Sequence, residues 1–540
     1  MRNLCFLIVA LSLTLIAREP LRGGNGDNSP QIGFHTSDRC LACHNGLTTP
    51  QGKDVSIGFD WRSSIMANSS RDPYWQASAR RETIDHPEVK ADVEDECSVC
   101  HMPITRYEAK LHDQKGEIFA FLPFDQKSGQ MSDLGRDGVT CSVCHQISNQ
   151  KLGDKESFNG GFVINAPQTK DDHPEYGPYQ IQAGQTLIMQ SSTGGFRPTF
   201  ATHIGDSALC ATCHTLTTKA RGAGGKVIGE LPEQMPYLEW LHSDYNGKQT
   251  CQGCHMPEVQ GSAPIAAVLG VDRLGVRQHV FVGGNFFMQR MLNTYRNELS
   301  VAAMPRELTN ASDNTIAFLQ SQAAQVNIEN VNTNAGRLNV DVVVKNLTGH
   351  KMPTAFPSRR AWLHFVVRDH NGNTVFESGA LNTDGSIQGN DNDTDATRFE
   401  PHYQRIDRSD EVEIYEDILG DSQGHVTTGL LNAVGYLKDN RLLPSGFDKS
   451  TAEHNIAVIG NAATDPNFTG DGDRVQYSVA LNSAQGPFQI AVELWYQPIG
   501  FRWAHNLAPY DAVETKRVVQ YFDSLASTSA VILTHAEETH

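Results

Sequence analysis

Five segments of the 540-residue chain repeat one arrangement: Cys40-Leu-Ala-Cys43-His44, Cys97-Ser-Val-Cys100-His101, Cys141-Ser-Val-Cys144-His145, Cys210-Ala-Thr-Cys213-His214 and Cys251-Gln-Gly-Cys254-His255. The spacing has a chemical reason. Two thiols three positions apart can each add to one vinyl group on a haem edge, and the histidine after the second then presents its imidazole to the iron. Ten of the eleven cysteines are used in this way. At this composition chance would supply only about 0.01 such motifs. Disulfides, or zinc sites assembled from two C-x-x-C pairs, leave the histidine after every pair unexplained, and zinc pairs would sit about 15–20 residues apart. The pattern predicts five covalently bound haem c groups.

Each iron then needs a second axial ligand or an open face, and that choice separates a carrier from a catalyst. Of the 21 histidines, those outside the motifs are the first candidates. His350 sits in Asn346-Leu-Thr-Gly-His-Lys-Met-Pro-Thr-Ala-Phe-Pro-Ser-Arg-Arg360, a turn stiffened by two prolines and ending in a basic pair suited to haem propionates. A ligand there would pin the C-terminal half to the haem-bearing half. His203 precedes Cys210 by seven residues, and His279 lies in Arg277-Gln-His-Val-Phe-Val-Gly-Gly-Asn285, where two glycines would let a haem approach the backbone. His86 stands eleven residues before Cys97, and His35, His112, His173 and His242 complete the set. For each, a plain surface or core histidine is the alternative. Met66 closes Trp61-Arg-Ser-Ser-Ile-Met66, which is echoed by Trp240-Leu-His-Ser-Asp-Tyr245. The echo is either a repeated packing turn or a thioether ligand that would raise one haem's potential.

The elements that must position these residues change character along the chain. Between Cys40 and His255, loops and short helices rich in Gly, Pro, Asp and Ser show little strand pattern. Haem itself would supply the buried apolar area there. Helices are predicted over Asp60–Arg81, Asn285–Leu299 and Ser312–Gln325, the last capped at Ser312. Beyond them Leu338, Val340, Val342 and Val344 alternate with polar residues. So do Leu363, Phe365 and Val367, then Val475, Tyr477, Val479 and Leu481, then Ile490, Val492, Leu494 and Tyr496. Turns are read at Asn332–Gly336 and His370–Asn373. Residues from about 326 to 515 thus read as an antiparallel β-sandwich. The fold class is α+β and multidomain: signal peptide 1–17, a haem-packed, mostly helix-and-loop pentahaem domain 18–300, a helical connector 301–325, and a β-sandwich domain with a C-terminal helix over 326–540.

Two acidic loops, Asn390-Asp-Asn-Asp-Thr-Asp395 and Gly470-Asp-Gly-Asp473, offer closely spaced oxygens. The first has Ala396 where the EF-hand requires glycine and ends at His402 instead of glutamate, so a solvated loop stands beside a calcium site as the reading.

Charge and leader set the context. Lys and Arg total 44 against 62 Asp and Glu, a formal charge of −18, which argues against nucleic acid. It favours a redox partner with a basic surface, docking more weakly as salt rises. Met1 to Ala17 carry Arg2 and then an apolar run from Leu4, shorter than the roughly 20 residues of a membrane span. The expectation is export to the periplasm or beyond without stable membrane insertion. An uncleaved anchor is the alternative, because Leu15 stands where a small residue is usual, and Cys5 has no assigned role.

The five motifs, the approach from His203 to Cys210, the Cys-His-Met-Pro endings at Cys100–Pro103 and Cys254–Pro257, and the Trp-x-x-Ser element resemble the multihaem cytochrome c superfamily. Its members include the tetrahaem electron carrier of hydroxylamine oxidation, hydroxylamine oxidoreductase and pentahaem nitrite reductase. The resemblance covers roughly residues 35 to 360. In relatives of the carrier the position held here by Met66 and Tyr245 is often histidine. The Gly349-His350-Lys-Met-Pro353 turn is similar to a distal-ligand segment of multihaem cytochromes with a C-terminal β-domain. Pentahaem nitrite reductase holds its catalytic haem by a lysine variant of the motif, whereas all five motifs here end in histidine. The resemblance therefore implies electron transfer through a chain of haems. The alternatives are reduction of a small nitrogen or sulfur oxyanion at a five-coordinate haem, and a filament or other homo-oligomer joined by a shared ligand.

Overall fold

Glycine, proline and small polar residues interrupt the apolar runs between Cys40 and His255, and the described backbone there is cut into short pieces. The computed structural model describes residues 34–165 and 173–540, so the predicted leader at residues 1–17 lies outside the described residues. The helix expected over Asp60–Arg81 is two helices, Ile57–Arg62 and Pro73–Asp85. Pro73 has no N–H to continue a ladder, and Asp72 caps the second helix by accepting from Tyr74 N at 2.8 Å and Trp75 N at 3.1 Å. Two strand pairs that alternation did not reveal also lie here. Strand β1 (His173–Gly177) runs parallel to β2 (Phe196–Phe200), and β3 (Leu216–Arg221) antiparallel to β4 (Val227–Gln234).

Apolar alternation takes over in the C-terminal half. Its strands are β5 (Ala324–Asn334), β6 (Arg337–Asn346), β7 (Arg360–Arg368), β8 (Thr374–Ser378), β9 (Arg405–Ile406), β10 (Ile414–Tyr415), β11 (Asp417–Asp421), β12 (Val426–Thr427), β13 (Ala433–Asp439), β14 (Asp473–Ala480), β15 (Gln489–Gln497) and β16 (Val531–Thr539). They form a sheet of order β5-β6-β14-β9, a second of order β10-β7-β15-β16 with β8 on β7, and a small β12-β11-β13 sheet. Ala335 and Gly336 both take positive φ, 50° and 74°, which gives the β5–β6 hairpin the twist its strands need. The inner faces of the first two sheets meet: Phe365 of β7 stacks on Tyr477 of β14 at 3.9 Å and 15°. Burying each such side chain contributes about 1.5–3 kcal/mol.

Helix Pro305–Gln322 starts seven residues before the expected Ser312. Pro305 opens it, and Glu307 reaches back to accept from Met304 N at 2.9 Å, so Ser312 is interior and buried. Helix Phe286–Thr294 inserts Phe286, Phe287, Met288 and Met291 into one apolar core that is continuous with both sheets and with Tyr74, Ala77 and Met235. Helix Val513–Leu525 packs on Pro73–Asp85, and Arg80 holds Glu514 through two bonds of 3.0 Å. The chain then adds β16 beside β15, beyond the expected C-terminal helix. No described helix is long and apolar enough to cross a membrane.

Candidate functional site

In three motifs both cysteines lie in one helix, three positions apart and so on one face, and in the other two the helices Asp38–Leu41 and Ser207–Ala211 end one residue after the first cysteine. Cys97 and Cys100 close helix Lys90–His101, Cys141 opens helix Cys141–Gln146, and Cys251 opens helix Cys251–His255. All ten motif cysteines and all five motif histidines line a single, largely apolar cavity of about 1860 Å³. Ordinary ligand pockets hold about 300–1,000 Å³.

The histidine rings are held by the backbone. His44 Nδ1 donates to Ile265 O at 2.6 Å, His145 Nδ1 to Tyr176 O at 2.6 Å, His255 Nδ1 to Val282 O at 2.5 Å and His101 Nδ1 to Ser69 O at 3.1 Å. A carbonyl only accepts, so Nδ1 carries the hydrogen in each case and Nε2 keeps its lone pair for a metal. Burial favours the same neutral form, pushing His101 and His214 down to about 4. Trp75 lies flat on the His101 ring, 4.5 Å away and tilted by 6°.

Two predicted ligands turn toward motif histidines. His279 faces His145 with ring centres 6.4 Å apart and planes 18° apart, and His350 faces His255 at 6.3 Å and 8°. Metal–imidazole bonds are about 2 Å long, so two rings bonded through nitrogen to opposite sides of one ion have centres about 6.3 Å apart. The residues therefore fit bis-histidine haem iron. Both incoming rings repeat the carbonyl device, His279 Nδ1 donating to Arg277 O at 3.1 Å and His350 Nδ1 to Lys351 O at 2.8 Å.

The remaining candidates are placed differently. Met66 lines the cavity. His86 is buried, and its Nε2 has no hydrogen-bond partner among the described residues. His203 turns Nε2 to Ile147 O at 2.8 Å, and His242 turns Nδ1 to Leu238 O at 2.8 Å. His35 and His173 both lie against Phe196, and His112 is exposed. Of the basic pair, Arg359 lines the cavity with Thr354 O as its hydrogen-bond acceptor, whereas Arg360 is buried against Asp393 at 2.8 and 2.9 Å. That ion pair occupies the central carboxylate of the 390–395 loop, whose Asp391 pairs with Arg398 and whose Asp395 caps Thr397. Gly284, one of the two glycines beside His279, is packed under the hydroxyl of Tyr496, while Gly283 faces open space.

Sequence reasoning passed over the carbonyls, which any residue type can provide, and two acids on the cavity wall. Burial pushes Glu175 and Glu233 up to about 7, with Gln146 and Ser142 opposing at the first and Thr218 at the second. It also could not order the motifs in space. The Cys40 thiol meets Cys141, Cys100 meets Cys213, and Cys210 meets Cys251. The first motif is thus beside the third, and the fourth is beside both the second and the fifth.

No family model matches the chain, and no curated protein matches it. Among solved structures it is similar to the crystal structure of a penta-heme cytochrome c552 from Thermochromatium tepidum, at 14% identity and a TM-score of 0.52, over 94% of this chain and 100% of that one. At that identity the likeness is one of fold, and it spans both the motif-bearing half and the sheets.

Proposed function

We propose that the chain is an exported pentahaem c-type cytochrome that transfers electrons. The observation that carries this reading is the convergence of five C-x-x-C-H motifs on one cavity, with His279 and His350 set opposite His145 and His255. Bound haem would supply one-electron ferric–ferrous chemistry. The chain's own residues do the rest. Ten thiols would anchor the groups and the motif imidazoles would bind iron through Nε2, while the carbonyls of Ile265, Ser69, Tyr176 and Val282 fix ring orientation. The apolar wall excludes water, which lowers the reorganisation that each change of charge demands. The fold-level likeness to a penta-heme cytochrome supports the reading. The charge of −18 suits a partner that presents lysine and arginine.

A second reading, reduction of a small oxyanion, is favoured by one observation. Among the described residues no imidazole stacks opposite His44, His101 or His214, and the guanidinium of Arg359 acts on His214 from the cavity wall. The mature protein, made in a host that assembles c-type cytochromes, should carry the mass of five haems. Its ferric electron paramagnetic resonance spectrum then decides: low-spin signals alone support the carrier, and a high-spin component supports the reductase. A colourless protein without added porphyrin mass overturns both.

A further inference from the structure

Away from the haem cavity, four side chains meet inside the C-terminal half with no exposure to solvent: His402, Glu413, Asp465 and Asp473. His402 lies ahead of β9, Glu413 immediately precedes β10, and Asp473 opens β14, so the cluster joins one large sheet to the other. The ligand atoms of His402, Glu413 and Asp473 lie within 4.8 Å of one another. His402 Nδ1 is 2.8 Å from Glu413 Oε1, and its Nε2 is 3.0 Å from Asp465 Oδ2 and 3.9 Å from Asp473 Oδ1.

The carboxylate oxygens are accounted for with one exception. Glu413 also accepts from Asn440 Nδ2 and Tyr403 N, Asp465 Oδ1 from Asn467 N, and Asp473 Oδ2 from Tyr415 Oη. Asp473 Oδ1, fully enclosed and aimed at His402, has no hydrogen-bond partner among the described residues. The adjacent cation, Lys449, donates to the backbone carbonyls of Ala462 and Asp465 and pairs with none of these acids. Lys449 acts on Asp465 and Asp473 only through space, so even a protonated His402 would leave three enclosed carboxylates with one cation in hydrogen-bonding contact.

We propose that this cluster binds one divalent transition-metal cation of the zinc class through His402 Nε2 and the carboxylates of Asp465 and Asp473. Glu413 holds the opposite ring nitrogen, which is the carboxylate–histidine–metal arrangement that fixes the tautomer and strengthens the donor. An imidazole with carboxylate oxygens suits zinc or manganese, whereas calcium takes about 6–8 oxygen ligands and no imidazole. Because the site is enclosed, the ion enters as the sheets close and ties β10 to β14.

The test uses the full-length, haem-loaded protein purified without chelator. Elemental analysis should find one non-haem dication per chain that survives dialysis. A strong chelator should lower the Tm, and added zinc should restore it with the haem spectrum unchanged. Asp473→Asn keeps the acceptor for Tyr415 Oη but should lose both the ion and the zinc response. A wild-type protein that holds no such ion and whose chelated form ignores zinc overturns the site. So does an Asp473→Asn protein that keeps the zinc response. Should that variant fail to fold, the wild-type zinc response decides alone.

Discussion

His145 and His279 face each other across a gap of 6.4 Å between ring centres, with their planes 18° apart. Rings in ordinary stacking contact would sit closer, as Trp75 and His101 do at 4.5 Å. The wider spacing with nearly parallel planes matches the roughly 6.3 Å expected of two imidazoles on opposite sides of one ion. The carbonyls of Tyr176 and Arg277 hold both rings from behind through Nδ1. The spacing and the two carbonyl anchors fit one ion set between the rings.

Removing one member should leave one iron with a single protein ligand. His279→Ala is expected to convert about one haem in five from low-spin to high-spin ferric iron, read by electron paramagnetic resonance. His350→Ala should do the same at the His255 iron. Because the two pairs are separate, the double variant should show twice the high-spin fraction. An unchanged spectrum in either single variant would remove that histidine from the ligand set.

The loop bearing His350 is anchored by buried charge. Lys351 Nζ donates to Asp439 Oδ2 at 2.7 Å, and Arg441 grips the same carboxylate at 2.9 and 2.7 Å. Lys351 N and Thr354 Oγ1 both donate to Glu239, which belongs to the motif-bearing half. Asp439→Asn leaves Lys351 enclosed without its counter-ion and should cost about 3–5 kcal/mol, whereas Lys351→Met removes the charge itself and should cost less. Denaturant unfolding of the haem-loaded protein measures both. Equal losses would mean that the ion pair is not what holds the loop.

How far residue order foretold these arrangements depends on how local each one is. The five motifs were legible because a C-x-x-C-H pattern is complete within five residues, and strands β6, β7, β14 and β15 because one buried face imposes a period of two. The loops around His279 and His350 stood out through their glycines and prolines. The break before Pro73 was written in Asp72-Pro73 but was masked by helical periodicity on both sides. Cysteines meeting across motifs, β1 pairing with β2, and carbonyls serving as ring anchors join distant segments through groups that leave no trace in residue type. The His402 cluster is of the same kind, since its four members come from four separate loops and strand ends.

Asp72 should give the fold a pH signature. Burial pushes its carboxyl up to about 6, with the Trp75 and Tyr74 N–H groups opposing. In the unfolded chain the value is about 3.9. Below about pH 4 both states are protonated and the folded state keeps its full advantage. As pH rises through about 6 the folded state must ionise in an enclosed site, and about 3 kcal/mol is lost. The side-chain amide of an Asp72→Asn variant would still cap the helix, and it carries no charge. Its stability relative to wild type should therefore grow from pH 4 to pH 7, followed by denaturation at each pH. Parallel profiles would show that Asp72 is ionised without penalty.

Gly284 packs under the Tyr496 hydroxyl of β15, on the loop that carries both His279 and Val282. A Cβ on Gly284 would lie 2.4 Å from Tyr496 Oη and 3.2 Å from its Cζ, so the loop or the buried Tyr496 ring must shift. That loop carries His279, and Val282 within it accepts from His255 Nδ1 at 2.5 Å. Gly284→Ala should therefore cost about 1–3 kcal/mol and raise the high-spin fraction at both the His145 and His255 irons. Tyr496→Phe removes only the hydroxyl and should be mild alone. If the hydroxyl is the obstacle, combining the two should recover much of the loss, with a coupling of about 0.5–3 kcal/mol. Strictly additive costs would place the strain elsewhere in the loop. Recovery of stability without recovery of the low-spin signal would separate the packing of Gly284 from the positioning of His279.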